Sequence, residues 1–165
     1  MNLRTEEIRD QPAIRSLVEY AFGRPDEADL VDRLRSEAVV LASIVAEVND
    51  RVVGHALFSR VTIEGDGRVV SAVALAPVAV LPYCQRRGVG SALIRHGIDL
   101  LREGGEKIIL VLGDPGYYPR FGFSCEKARL LETPFPRDAF MAMELKPGAL
   151  NGVHGKVVYP AAFGL

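Results

Sequence analysis

The spacing of apolar positions changes several times along the chain, and each change marks an element. Residues 2–8 predict a short first strand. Ile14, Leu17, Val18 and Ala21 then recur at helical spacing, behind Asp10 as the expected N-cap and Pro12 in the first turn. Gly23-Arg24-Pro25 ends that helix. A second begins at Pro25 with Asp26 and Glu27, acidic residues suited to a helix start, and buries Leu30, Val31 and Leu34. From Val39 the period shortens. Residues 39–48 predict a strand, Asn49-Asp50 a tight turn, and 51–63 the returning partner. Glu64-Gly65-Asp66-Gly67 turns the chain again into a third strand, about Arg68 to Leu81. Pro77 inside it cannot donate to a ladder, so it marks an edge, a bulge or a place where two strands part. After Gly88, residues Val89, Leu93, Ile94, Ile98 and Leu101 share one helical face up to Gly104-Gly105. The run 107–112, apolar throughout after Lys107, reads as a buried strand reached by a parallel crossover. Residues 121–127 and 138–145 predict two further strands. A turn-rich extension follows from about residue 146, with a short strand at 156–159.

This order gives an α/β (α+β) fold with a mixed sheet, and 165 residues suffice for a single domain, 1–165, with its own core. About half the residues are apolar and a quarter charged, as in ordinary globular proteins. The net charge of −1 provides no general attraction to nucleic acid or to an anionic membrane. Cys84, Cys125 and three scattered histidines make no zinc spacing, and two cysteines in a chain this long are expected as free thiols, with no metal. The early charges Glu6, Glu7 and Arg9 leave no room for a signal peptide, and no apolar run is long enough to span a membrane. The expected location is cytoplasmic.

The densest chemical signal lies at Val78-Ala79-Val80-Leu81-Pro82-Tyr83-Cys84-Gln85-Arg86-Arg87-Gly88-Val89-Gly90-Ser91. An apolar strand runs into a glycine-containing turn and then a helix. The first N–H groups of a helix have no internal acceptor and sit at the positive end of its dipole, so this order builds an anion site. Neither common phosphate fingerprint fits. Leu93 stands where a dinucleotide loop needs its third glycine, and no lysine follows as in a nucleoside-triphosphatase loop. Gln85-x-x-Gly88-x-Gly90 instead resembles the pyrophosphate loop of the GNAT superfamily, the acetyl-CoA-dependent N-acetyltransferases. A second motif agrees: Tyr118-Pro119-Arg120-Phe121-Gly122-Phe123 matches the family's Tyr-x-x-x-Gly-Phe signature. The order of elements is similar to the GNAT order over nearly the whole chain.

The resemblance implies a central sheet of about seven strands flanked by helices, with two strands splayed where acyl-CoA binds. Main-chain groups of Val78, Ala79 and Val80 would pair with the pantetheine arm. Gln85, Arg86, Arg87, Gly88, Val89, Gly90 and Ser91 would hold the pyrophosphate, and Arg120 is in reach of the adenosine end. Tyr118 would act as general acid toward the departing thiolate. Tyr117 is read as packing, because adjacent helical residues point different ways. Pro119 departs from an ordinary helix. The general base is not legible: a carboxylate, a histidine or a water chain would serve, and Glu47 and His55 on the hairpin strands stand as candidates. The expected reaction is direct transfer of acetyl from acetyl-CoA to a primary amine in a ternary complex. A homodimer is compatible with this reading. In the family the acceptor site is shaped by two loops, here about Tyr20–Asp26 and Thr133–Arg137, the latter with Phe135 between prolines. The alternative is a non-catalytic acyl-CoA-binding regulatory module on the same fold.

Overall fold

The structure is a computed structural model describing residues 1–165. Strand β1 (Asn2–Thr5) leads through a 3-10 turn into helices α1 (Gln11–Phe22) and α2 (Asp26–Ser36). Strands β2 (Val40–Val48), β3 (Arg51–Gly65) and β4 (Arg68–Val80) form the expected antiparallel meander. Helix α3 (Val89–Glu103) crosses to β5 (Ile108–Leu112), parallel to β4, and the chain continues through β6 (Leu131–Glu132), β7 (Phe140–Glu144) and β8 (Gly155–Val158). The sheet has eight strands, in the order β1-β2-β3-β4-β5-β7, with β8 pairing both the far end of β3 and β6. Helix α3 buries Leu93, Ile94, Ile98 and Leu101, one side of a 29-residue apolar cluster that also takes in Ile14, Leu17, Val18, Val31 and Leu34 of α1 and α2. No helix is long and apolar enough to cross a membrane.

Two local expectations are corrected, and the expected C-terminal strand is found. Asp10 precedes α1, but its carboxylate accepts the Glu7 N–H at 2.6 Å and the Arg4 guanidinium at 2.7 and 2.9 Å instead of capping the helix. The 3-10 turn Ile8–Asp10 runs straight into α1, so Asp10 has helical φ and ψ and its side chain turns back. Residues 121–127 form no strand. Gly122 at φ 108° and the 3-10 turns Tyr118–Phe121 and Glu126–Ala128 leave only a single bridge, Ser124 to Ala142. The turn-rich extension is stitched into the sheet by Thr62↔Val158, Ile63↔Val157 and Glu64↔Lys156, and it buries Val153 and Val157 beside Val61, Ile63 and Phe140.

The feature that positions the site is the parting of β4 from β5. Their parallel pairing covers only Val73↔Ile109 and Ala74↔Leu110. Just beyond, Phe58↔Leu75 is followed by Ala56↔Val78, so Ala76 and Pro77 together oppose Leu57 alone. Pro77 therefore sits in a β-bulge next to the parting, where a missing N–H costs no ladder bond. From there to Val80, the β5-facing edge of β4 has no strand beside it.

Candidate active site

The open edge of β4 can be resolved residue by residue. Leu81 donates its N–H to Val53 at 2.9 Å, and the register below it is His55↔Ala79. Antiparallel residues alternate between facing their partner and facing away. Ala79 thus directs its N–H and C=O at His55, while Val78 and Val80 turn theirs outward. The Gln85 side-chain amide donates to the Val80 carbonyl at 3.1 Å, as an outward-facing oxygen allows. Ala79 is buried and its main-chain groups are already paired with His55, so the outward groups on this stretch of the edge are those of Val78 and Val80.

A cleft of about 530 Å³ runs along this edge to the start of α3, lined by Val78, Val80, Cys84, Gln85, Arg86, Gly88, Val89, Gly90, Ser91, Tyr117, Tyr118 and Arg120. The first intrahelical bond of α3 is Ala92 N–H to Gly88 O at 3.0 Å, so the amides of Val89, Gly90 and Ser91 have no helical acceptor. Gly88 enters the helix at φ 81°, a left-handed conformation open to glycine. Arg86 takes φ 62°, which costs a non-glycine residue roughly 1–2 kcal/mol. Arg86, Arg87 and Arg120 are not paired with any carboxylate. The cleft thus offers free amides, two outward main-chain groups and unpaired positive charge, a donor set matched to an elongated molecule with an anionic diphosphate.

The tyrosine turn forms the opposite wall. Asp114 starts it by accepting the Gly116 N–H on its side chain at 2.8 Å and the Tyr117 and Tyr118 N–H groups on its carbonyl at 3.0 and 3.1 Å. Pro119 falls at the start of a 3-10 turn, where no N–H is required. Tyr118 lies edge-on to Phe123, with centroids 5.8 Å apart, and over Gly113, where a Cβ would come within 2.2 Å of its ring. Burial, with smaller contributions from Tyr117 and Asp114, pushes the Tyr118 phenol up to about 12, so it stays protonated at neutral pH. Tyr117 does more than pack. Its hydroxyl meets Ser91 Oγ at 2.9 Å, and Arg120 holds it by stacking over the ring at 4.3 Å. In sequence it looked like filler because a continuous helix was expected; two successive tight turns bring both tyrosines to one cleft.

Glu47 and His55 are placed elsewhere. Glu47 sits on β2 opposite Asn2 of β1, with β3 between it and β4. Arg4 bonds it at 2.6 Å while forking onto Asp10, and holds its carboxyl below the usual range. His55 is 0% exposed and projects from the face of β3 opposite Gly54, which packs under α3. There Glu6 meets Arg35 of α2 at 3.0 Å and is hydrogen-bonded by the Ser43 hydroxyl. A carboxylate only accepts, so Ser43 donates to Glu6 and accepts from His55 Nε2 at 2.8 Å. His55 is therefore the Nε2–H tautomer, with Nδ1 unpartnered. Neither residue lines the cleft, and no Asp, Glu or His does. Of the two loops expected to shape an acceptor site, Tyr20 lines a separate cavity of about 460 Å³ with Arg51 and Tyr83, while Phe135 packs on Phe140 and Tyr159.

The buried cluster has a pH signature. Burial lowers His55 from its ordinary 6.5, so the fold holds it neutral while the unfolded chain protonates. Burial would raise Glu6, but His55, Ser43 and Arg35 together outweigh it and hold the carboxyl at about 2, against an ordinary 4.5. Both shifts are downward, so both stabilise above the unfolded values and both are lost on acidification. The melting temperature is expected to fall in two stages, first below pH 6.5 and again from pH 4.5 toward 2. His55→Gln, which keeps a donor for Ser43, should flatten the first stage in a melting series across pH and, because His55 also helps hold Glu6 down, shrink the second without abolishing it. An unchanged first stage would assign it to other groups.

Residues 2–125 match the family model described as the acetyltransferase (GNAT) domain. The chain belongs to the GNAT acetyltransferases. It is an acyltransferase by descent, and its eight-stranded sheet with a parted β4 and β5 is the GNAT fold. It is 34% identical to the uncharacterized N-acetyltransferase YhbS of Escherichia coli K12, over 99% of this chain and 98% of that one. It is 41% identical to the uncharacterized N-acetyltransferase YjhQ of the same strain, over 77% of this chain and 72% of that one. The crystal structure of E. coli YhbS in complex with CoA superposes with a TM-score of 0.92, covering 99% of this chain and 92% of that one. A GNAT family acetyltransferase from Brucella melitensis in complex with acetyl-CoA, 35% identical, gives 0.82, covering 98% of this chain and 97% of that one.

Proposed function

We propose that the whole chain, as one domain, transfers the acetyl group of acetyl-CoA to a primary amine by direct attack, with both substrates bound together. The observation that carries this reading is the open β4 edge leading into the free amides of α3. Val78 and Val80 would pair with the pantetheine arm. The amides of Val89, Gly90 and Ser91 would hold the diphosphate, with Gly88 permitting close approach and Arg86 and Arg87 supplying charge. Gln85 braces the Val80 carbonyl. That the YhbS and Brucella relatives were solved with CoA and acetyl-CoA supports the choice of coenzyme.

In this reading the amine attacks the thioester carbonyl, the C–S bond breaks, and the sulfur departs carrying negative charge. Tyr118 Oη, protonated and inside the cleft, donates its proton to that sulfur and is reprotonated from solvent. With no carboxylate or imidazole lining the cleft, the proton of the attacking amine passes to water. Thermal shift provides the first test, since a ligand that binds only the native state raises the melting temperature. Acetyl-CoA should raise it more than ATP or NAD at equal concentration. A thiol-release screen against a broad panel of amines then identifies the acceptor. A larger shift with ATP or NAD would overturn the coenzyme assignment, and no thiol release with any amine would overturn the transfer.

A further inference from the structure

We infer that Ser91 and Tyr117 act as one hydroxyl donor to the coenzyme diphosphate, which makes Tyr117 a residue that sets coenzyme affinity; this rests on the coenzyme assignment above. Ser91 Oγ and Tyr117 Oη lie 2.9 Å apart, and this is the one hydrogen bond either side chain makes. Two hydroxyls carry two hydrogens, and their mutual bond uses one. The other is left to donate, whichever oxygen carries it. It lies at the third residue of α3, beside the amides of Val89, Gly90 and Ser91, in the part of the cleft that can hold a diphosphate.

The donor is also held in place. Arg120 stacks on the Tyr117 ring at 4.3 Å and donates to the Tyr117 carbonyl at 2.7 Å. Tyr118 and Phe121 meet the ring edge-on at 5.1 and 5.3 Å. A ring clamped on three sides loses little freedom when its hydroxyl engages a ligand, so the bond is gained at small entropic cost. A ring needed only for packing would be served by phenylalanine. Here the hydroxyl also spans the cleft, joining α3 to the turn after β5. The two neighbouring tyrosines thereby divide the work, Tyr117 at the diphosphate and Tyr118 at the sulfur.

The test is calorimetry with coenzyme A on the wild type, Ser91→Ala, Tyr117→Phe and the double variant. The double variant should bind about tenfold or more weakly, the scale of one hydrogen bond to a charged group. The single changes should fail to add up to it, because each leaves one hydroxyl able to donate. S-acetylpantetheine, which has no diphosphate, supplies the second arm: its affinity, read by thermal shift, should be the same for all four proteins. The ratio of the two affinities does not depend on the folded fraction, so a destabilised variant still reports. A double variant that binds coenzyme A like the wild type, or one weakened equally toward both ligands, overturns the inference. A wild type that does not bind coenzyme A overturns the coenzyme assignment instead.

Discussion

Gly90→Asp is expected to fold normally and to lose at least 100-fold of its affinity for acetyl-CoA, a difference of about 2.7 kcal/mol. Residue 90 is the second of α3, and a Cβ there would lie 3.5 Å from Tyr117 Oη and 3.7 Å from Val80 Cγ2, both ordinary contacts. The added carboxylate sits at the positive end of the helix dipole, which favours it. The same field that suits an anionic ligand therefore keeps the variant stable, and lost binding cannot be blamed on lost structure. The new charge meets the diphosphate directly. Two like unit charges 4 Å apart at a protein surface repel by about 4 kcal/mol before salt screening, enough to justify the lower bound. Gly90→Ala separates bulk from charge and should fall between the two. Calorimetry on all three, with melting curves as the control for folding, decides it; equal affinity of Gly90→Asp and wild type would sink the loop assignment.

The parts of this molecule that were legible in its sequence are those where one periodicity runs uninterrupted. The strands β2, β3 and β4, helix α3 and the apolar run of β5 each repeat long enough to declare themselves, and the glycine loop follows from their junction. Three features escaped because tertiary contacts decide them. The phase of the ladder, set where Leu81 bonds Val53, determines that Val78 and Val80 face the cleft and Ala79 does not. Strand alternation alone could not say which face His55 occupies; the Glu6 and Ser43 contacts beneath α2 fix that. Glu47 looked free because its partner Arg4 is 43 residues away in sequence and arrives only when β1 pairs with β2. The tyrosine turn was the hardest to read. Residues 113–123 are short turns with no period, and the aim of each ring depends on Gly113, Arg120 and Phe123 together.

The aim of Tyr118 has the largest consequence for turnover. Tyr118→Phe should lower kcat by about 100-fold, the lower end of the usual general-acid contribution, because water can partly replace the phenol. The KM for acetyl-CoA should hardly move, since the interaction strengthens only as charge develops on the sulfur. The substitution keeps the ring that packs on Phe123 and removes one oxygen that makes no hydrogen bond within the protein, so stability should be almost unaffected. With the phenol held up at about 12, the wild-type group remains a donor through neutral pH, and the ratio of wild-type to variant rates should stay constant from pH 6 to 9. Gly113→Ala probes position separately from chemistry. Its methyl would come within 2.2 Å of Tyr118 Cε2, forcing the ring to shift, so kcat should fall although the hydroxyl is still present. These rates require an acceptor from the amine screen and are measured under saturating acetyl-CoA. A kcat unchanged by Tyr118→Phe would leave this tyrosine as packing and return the leaving thiolate to solvent.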